Sequence, residues 1–275
     1  MNVYIQTNSK QFLASKVSAY SFVRFGHNVK LMNFEESEIL KKYLGKKYLK
    51  NGKLKTYEND LQSFTPLRFL APTLNNNKDL ILVIDPDIFA ISDPKIILDN
   101  VNDDYDLYCT SYNKILRSEM MLINTKKINW NFEKILKELF ELKIDYKDLM
   151  SLSFDTSLKV KIIANKFNAH DTITEDTILL HTTNRLTQPW KEGLLIDFDA
   201  GNKTILNYLK NITKKKLGIK YDKNIIESKY QKHPNNIVIN KIKEIFLEAK
   251  KNNFITDQEI QFAIKNKSIS KEIFN

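Results

Sequence analysis

Cysteine and long apolar runs are scarce in this sequence, and each shortage excludes a class of protein. Among its 275 residues the only cysteine is Cys109, so the chain cannot form an internal disulfide or a cysteine-based zinc cluster. No apolar run approaches the roughly 20 residues that a membrane-spanning helix needs. The first residues lack a basic stretch followed by a long apolar one, so we expect no signal peptide and a cytoplasmic protein.

Glycine and arginine are also rare. None of the six glycines lies between the first predicted strand, residues 3–5, and the helix predicted from about residue 11, which counts against a dinucleotide-binding or P-loop protein. The net charge is +10, but most of the excess comes from lysines spread along the chain. Nucleic-acid binders usually concentrate arginine, so we expect no nucleic acid as a partner. The lysines suit anionic substrates or an anionic membrane surface.

The most informative stretch is a strand that ends in two carboxylates. Residues 80–84 are apolar at every position, a pattern typical of a strand buried on both faces. Asp85 and Asp87 follow at the carboxyl edge of a sheet, where open α/β folds place their ligands. Buried carboxylates are costly to desolvate unless they meet a cation. A hard divalent ion that bridges them to phosphate oxygens is one solution.

Two other interpretations of these aspartates stay open at this point. Aspartates after a core strand also serve simply as turn formers. An Asp-X-Asp sequence after a strand also opens the haloacid dehalogenase phosphatases, in which the first aspartate is the nucleophile. That family carries the motif near the start of its domain and has a threonine shortly after the second aspartate, whereas Phe89-Ala90-Ile91 stands in that place here.

The two aspartates resemble the Asp-X-Asp motif of glycosyltransferases with the GT-A fold, and three further segments resemble glycosyltransferase family 8. These segments follow the family's order: residues 64–72 with Arg68, residues 117–125 with Ser118, and residues 181–190 with His181, Pro189 and Trp190. Short motifs are weak singly but support one another when they occur in order. The resemblance spans roughly residues 1–195.

The resemblance implies a site. In the family, the two aspartates and a histidine bind Mn²⁺ or Mg²⁺ against the diphosphate of a nucleotide-sugar, so Asp85, Asp87 and His181 are the predicted metal ligands. The residues predicted to contact the nucleotide-sugar lie in the matching segments or after the first strand: Thr7, Asn8, Arg68, Pro86, Arg185, Gln188 and Trp190. Ser118 and Asp155 are the predicted catalytic residues, since Asp155 is the best match to a family carboxylate that precedes a helix.

Three residues depart from the family pattern. Arg117 and Glu119 stand where the family has asparagine and glycine in the segment that lines its sugar pocket, and Gln188 replaces a lysine that touches the diphosphate. Arg185 is a candidate to supply the missing charge. The departures leave the donor sugar open. They also motivate an alternative function, a relative that binds a nucleotide or a glycan without turnover.

We therefore expect an α/β protein with the GT-A nucleotide-diphospho-sugar transferase fold, a mixed, mainly parallel sheet flanked by helices. A catalytic domain of residues 1–197 is predicted to precede a helical, basic extension of residues 198–275. The implied reaction is transfer of a hexose from a UDP-sugar to a hydroxyl of a glycan or glycolipid, with retention of configuration. The basic extension predicts contact with the inner face of a membrane or with a second copy of the chain.

Two local predictions concern the segments before the carboxylates. Residues 35–60 are polar and basic, and we expect a short helix and a mobile surface loop there. Residues 61–74 carry apolar side chains at helical spacing, which predicts one continuous helix.

Overall fold

The chain begins with a β-α-β unit. In a computed structural model, which describes residues 1–75, 80–128, 130–198, 205–220 and 226–275, strand β1 (Asn2–Thr7) is followed by helix α1 (Phe12–Val23) and strand β2 (Asn28–Asn33). Gly26 follows the helix with a φ of 80°, a left-handed conformation that glycine adopts at little cost. The chain thereby reverses, and β2 pairs in parallel with β1.

The main sheet has six strands in the order β2-β1-β5-β8-β7-β9. The remaining strands of the described chain are β3 (Lys47–Lys50), β4 (Lys53–Thr56), β5 (Leu80–Ile84), β6 (Ile88–Ala90), β7 (Leu107–Tyr112), β8 (Ile115–Asn124), β9 (Val160–Ile162), β10 (Ala169–His170) and β11 (Leu179–His181). Strand β8 runs antiparallel to both of its neighbours, and the other pairs are parallel. The expected mixed, mainly parallel sheet is confirmed.

A small sheet, in the order β10-β11-β6, adjoins the main one. Strand β6 begins shortly after β5 ends, so residues 85–87 form the turn between the two sheets. Strand β11 pairs antiparallel with β6 and sets His181 opposite Ile88. This pairing brings the end of β11 to the turn that carries the two aspartates.

Helices cover both faces of the main sheet. After α1 they are α2 (Glu38–Lys41), α3 (Ala71–Leu74), α4 (Phe132–Phe140), α5 (Tyr146–Met150), α6 (Ile205–Lys216), α7 (Asn236–Lys251) and α8 (Asp257–Lys265), with short 3₁₀ turns between them. Alternate residues of β5 enter two different apolar clusters: Ile81 and Val83 one, Leu82 and Ile84 the other. This alternation is what burial of both faces of a strand requires, so β5 is the buried strand that the sequence predicted.

Two local predictions are corrected. The continuous helix over residues 61–74 is instead a 3₁₀ turn, Thr65–Phe69, followed by the single turn α3. Pro66 and Pro72 each begin one of these pieces, because a proline inside one long helix would lack an amide donor and clash with the preceding turn. The surface segment of residues 35–60 contains the hairpin β3–β4. Its turn is Asn51-Gly52, both with positive φ, a strong short-range hairpin signal.

The C-terminal helices pack on the first helix of the chain. A third apolar cluster joins residues of α1, α7 and α8 with Trp190. Nearer the sheet, the backbone of Tyr230 exchanges hydrogen bonds with Gly193 and Leu194. In the described part of the chain no helix has both the length and the apolar character needed to cross a membrane. The proposed boundary between residues 197 and 198 stays a prediction.

Candidate active site

The three predicted metal ligands meet where the two sheets join. Asp85 and Asp87 follow β5, and His181 ends β11. Oδ1 of Asp87 lies 3.3 Å from Nε2 of His181, and one ligand-type atom from each of the three residues lies within 4.8 Å of the others. Neighbouring ligands on an octahedral ion, each about 2.1 Å from it, are about 3 Å apart. The donor set and its spacing therefore fit a divalent cation.

Asp85 is held by two donors on one side. Nη2 of Arg68 and Nε2 of Gln6 each lie 2.5 Å from its Oδ1, while Nη1 of Arg68 donates to Oγ of Ser118 at 2.7 Å. Burial raises the pKa of Asp85 to about 6, the Arg68 guanidinium opposes that rise, and Asp87 adds to it. The arrangement orients the carboxylate but leaves it short of positive charge, which a metal ion would provide.

His181 is buried between carboxylates. Burial alone would lower the pKa of its imidazole, but Asp87 and Glu119 outweigh that effect and raise it to about 9. The metal-free site therefore carries an imidazolium at neutral pH. A metal ion that binds Nε2 must displace its proton, because histidine binds metals through an unprotonated nitrogen.

A cavity of about 900 Å³ opens beside these residues, within the size range of small-molecule sites. Asp85, Asp87 and His181 lie in its wall with Arg68, Ser118 and Arg185. Nε of Arg68 is buried without a hydrogen-bond partner among the described residues. A ligand oxygen that accepts from this nitrogen would satisfy it.

Helix α5 forms another part of this wall, and its place in the site was not predicted from the sequence. Its residues Tyr146, Lys147 and Asp148 line the cavity. Asp145 and Asp148 form a capping box at the start of the helix, and this Asp-x-x-Asp spacing was the available signal. The helix has only five residues, too few for a periodic pattern to reveal it.

A smaller cavity of about 70 Å³ also adjoins the aspartate turn. It is lined by Pro86 and Gln188, both predicted from the sequence, and by Tyr230 from the C-terminal region. Nε2 of Gln188 donates to Oδ2 of Asp87 at 3.3 Å. Gln188 thus orients a predicted metal ligand, and it brings no positive charge of its own.

Four predicted site residues have other roles in the structure. Trp190 is buried against Phe89 and Phe246 in the third apolar cluster. The hydroxyl of Thr7 forms a hydrogen bond with Ser15, and the amide of Asn8 donates to the carbonyl of Asp60. The carboxylate of Asp155 accepts hydrogen bonds from Trp130 and Ser157. These three polar groups each take part in a structural hydrogen bond, whereas the amide oxygen of Asn8 is buried without a partner among the described residues. None of the four residues lines either of the two cavities described above.

The sequence matches no family model and no curated protein, but solved structures share its fold. An active-site mutant of LgtC superposes with a TM-score of 0.51 at 13% identity, over 69% of this chain and 89% of that one. The galactosyltransferase LgtC with donor and acceptor sugar analogues gives 0.49 at 15% identity, over 69% and 89%. The glycosyltransferase GlyE of Streptococcus pneumoniae TIGR4 gives 0.48 at 16% identity, over 69% of this chain and 55% of that one. The expected GT-A fold is confirmed, and at the level of fold so is the resemblance to family 8.

Proposed function

We propose that this chain is a metal-dependent glycosyltransferase that moves a hexose from a nucleoside diphosphate sugar to a hydroxyl of a glycan or glycolipid. The observation that carries the proposal is the meeting of Asp85, Asp87 and His181 at the wall of a large cavity. The fold, shared with a galactosyltransferase, supports it. A UDP-sugar donor and retention of configuration are proposed on the family resemblance.

Asp85, Asp87 and His181 would hold Mn²⁺ or Mg²⁺, with phosphate oxygens of the donor completing the coordination. The chemistry that such an ion supplies is neutralisation of the charge that builds on the departing nucleoside diphosphate. Arg68 keeps Asp85 in position through its pair of hydrogen bonds to Asp85 and Ser118. The side chain of Arg68 is almost fully buried in this ion pair.

Arg185 is the proposed cation for the diphosphate. It lines both the large and the small cavity, so it stands between them beside the aspartates. The family's lysine is replaced by Gln188, whose amide is bonded to Asp87. An arginine suits this position because its planar guanidinium donates to two phosphate oxygens at once.

Asp148 takes the place of Asp155 as the acidic residue of the proposed site. It lines the cavity, and its carboxylate is oriented by the backbone nitrogen of Asp145 and the hydroxyl of Ser153. Asp155, in contrast, binds the indole nitrogen of Trp130 at 3.0 Å. We propose that Asp148 and Ser118 contact the sugar or the acceptor.

The basic end of helix α6 supports the proposed contact with an anionic membrane. Lys214, Lys215 and Lys216 end the helix, and the exposed side chains of Leu217 and Ile219 follow them. Apolar side chains among lysines bind anionic bilayers by insertion and charge attraction together. We expect the chain to sediment with vesicles that contain phosphatidylserine and not with pure phosphatidylcholine vesicles.

A thermal-unfolding screen tests the donor site. Each of several nucleoside diphosphates and nucleotide-sugars is added with and without Mn²⁺ to the native chain, to Asp87→Asn and to the control Asp257→Asn, an exposed aspartate of α8. A ligand that binds the folded state raises the midpoint. We expect one UDP compound with Mn²⁺ to stabilise the native chain and the control, and not Asp87→Asn.

Two results of this screen would redirect the proposal. If no nucleotide raises the midpoint in either condition, Asp85 and Asp87 act as turn residues and the glycosyltransferase proposal fails. If UDP and UDP-sugars bind but no UDP is released from any sugar, the alternative of a binding protein without turnover replaces it. The departures at Arg117 and Glu119 are the residues that favour this alternative.

A further inference from the structure

Glu119 is a buried carboxylate beside the proposed metal site. It lies on β8, next to the end of β5, where its backbone oxygen accepts a hydrogen bond from the backbone nitrogen of Asp85 at 2.9 Å. Its side chain is only 12% exposed. A carboxylate at such a position is costly unless donors surround it, so its partners reveal what it does.

Donors from three residues converge on this carboxylate. Oε2 accepts from Nη2 of Arg117 at 2.8 Å, and Oε1 accepts from Nε2 of His170 at 2.8 Å and from Nδ2 of Asn168 at 3.0 Å. Both carboxylate oxygens of Glu119 therefore face donors, and the side chain acts as an acceptor.

The hydrogen bond to Glu119 dictates the orientation of Asn168. The amide nitrogen of Asn168 must face Glu119, and it also lies 3.1 Å from the hydroxyl of Thr110. The amide oxygen then faces His181, with Oδ1 of Asn168 3.0 Å from Nδ1 of the ring. Because an amide oxygen only accepts, Nδ1 carries a proton. The other ring nitrogen, Nε2, faces Asp87.

We infer that Glu119, acting through Asn168, is a positioning residue that fixes His181 in the tautomer and ring orientation that present Nε2 to the metal ion. The inference rests on the proposed metal site. Outer partners of this kind orient metal-bound histidines in many proteins, and their loss typically weakens metal affinity 10- to 100-fold. Glu119 stands at the position where the family that this chain resembles has a glycine.

The same cluster has a second geometric interpretation. Glu119, His170 and His181 offer three ligand atoms within 4.8 Å of one another, enough for a separate ion. Such an ion would have to displace the amide of Asn168, which already bonds both Glu119 and His181. It would also need Nδ1 of His181 unprotonated. The hydrogen bonds therefore favour the positioning role.

The test exchanges the acid and the amide between the two positions. In Glu119→Gln the amide places a donor among the donors of Arg117, His170 and Asn168. In Asn168→Asp a second carboxylate lies next to Glu119. The double variant Glu119→Gln with Asn168→Asp keeps the total charge and restores a donor–acceptor pair, with a carboxylate left to accept from Nδ1 of His181.

Mn²⁺ alone is titrated into each purified full-length chain by calorimetry, and the thermal midpoint confirms that each variant is folded. We expect the dissociation constant for Mn²⁺ to rise about 10- to 100-fold in each single variant and to return most of the way in the double variant. A residue needed only for packing would not give this recovery. If one single variant fails to fold, the Mn²⁺ affinity of the other single variant is compared with that of the double variant.

Four outcomes would overturn the inference, and they separate its failure from the failure of the proposed metal site. Native-like Mn²⁺ affinity in both single variants removes the positioning role and leaves the proposed metal site intact. If the Mn²⁺ affinity does not recover in the double variant, the positioning role likewise fails and the proposed metal site stays intact. Binding of two ions per native chain favours the second-ion interpretation. If the native chain binds no Mn²⁺ at all, the metal site of the proposed function fails, and the positioning role fails with it.

Discussion

The sheet edge that carries the proposed metal site and the C-terminal helices are held together by different forces. At the edge, the side chains that are almost fully buried are polar: Arg68, Ser118, Asn168 and His181. In the third apolar cluster the fully buried side chains of α7 are aliphatic or aromatic, among them Ile245 and Phe246. Burial of apolar surface contributes most of the stability of a fold, whereas buried polar networks gain little net free energy and mainly specify geometry. The edge therefore carries the proposed chemistry, and the helices stabilise it.

Trp190 connects the two regions. It ends the segment that begins at His181, and its ring packs between Phe89 of the small sheet and Phe246 of α7. Its backbone oxygen accepts from the nitrogen of Ser270 at 2.7 Å. The C-terminal helices thus anchor the far end of the segment that presents the histidine, and Trp190 is buried there outside both cavities.

The largest effect is expected from breaking the apolar region. Phe246→Ala removes a ring that is fully buried and leaves a cavity, so the free energy of unfolding falls by about 3–5 kcal/mol. The matched control is Phe262→Ala in α8, where 66% of the residue is exposed and the change is about 0.5 kcal/mol or less. Urea denaturation measures both. Equal losses in the two variants would show that α7 is not part of the core.

Arg68→Met tests how much the polar side chains of the sheet edge contribute to the free energy of unfolding. It leaves Asp85 buried without its guanidinium partner, which costs about 3 kcal/mol in the metal-free protein. The control Arg185→Met changes an exposed side chain and costs about 0.5 kcal/mol or less. We expect Mn²⁺ to recover part of the loss in Arg68→Met, measured by urea denaturation with and without the ion. If Mn²⁺ recovers none of the lost free energy of unfolding, Arg68 does not support a metal site.

The pH dependence of metal affinity distinguishes the two regions further. Because Asp87 and Glu119 raise the pKa of His181 to about 9 despite its burial, Mn²⁺ must displace one proton below that pH. The affinity for Mn²⁺ should fall about tenfold per pH unit from pH 9 downward. It should fall more steeply below about 6, where Asp85 also takes up a proton. Calorimetric titrations between about pH 5.5 and about pH 9.5, a range that brackets both pKa values, test the assignment. An affinity for Mn²⁺ that stayed constant over this range would contradict it.

The smallest effect concerns Asp155, which the sequence predicted as catalytic. Asp155→Ala leaves the buried indole nitrogen of Trp130 without its acceptor and should cost about 1–3 kcal/mol of stability with unchanged turnover. Asp155→Asn keeps an acceptor oxygen and should cost less. A large loss of turnover at unchanged stability in either variant would show that Asp155 is a catalytic residue. Urea denaturation and UDP release, measured on the same preparations, decide between the two roles.

The predicted site residues that the structure brings together are those set by local pattern. A fully apolar strand ending in Asp85 and Asp87, and a second one ending in His181, are both visible in a few consecutive residues. Their carboxyl ends meet because strands of such folds place their ends at one edge of the sheet. The fold followed from the β-α-β opening and the ordered motifs for the same reason.

The surroundings of Glu119, Trp190 and Asp155 could not be predicted from the sequence, because they depend on contacts between distant segments. Glu119 was noted only as a departure, because its role requires β8 to pair beside β5 and Asn168 to arrive from about 50 positions later. Trp190 was assigned to the ligand because nothing in a Pro-Trp pair shows that α7 will cover it. Asp155 was preferred to Asp148 because α5 is too short to produce a helical pattern.

The most direct test of the proposed metal-dependent transfer is release of UDP from UDP-sugars by the native chain, with Mn²⁺ and after its removal by a chelator. We expect at least one UDP-sugar to be cleaved with Mn²⁺, chelation to abolish release and added Mn²⁺ to restore it, and Asp87→Asn to be inactive while folded. Release that persists at the same rate after chelation and in Asp87→Asn would contradict metal-dependent transfer, because the meeting of Asp85, Asp87 and His181 would then have no part in the reaction.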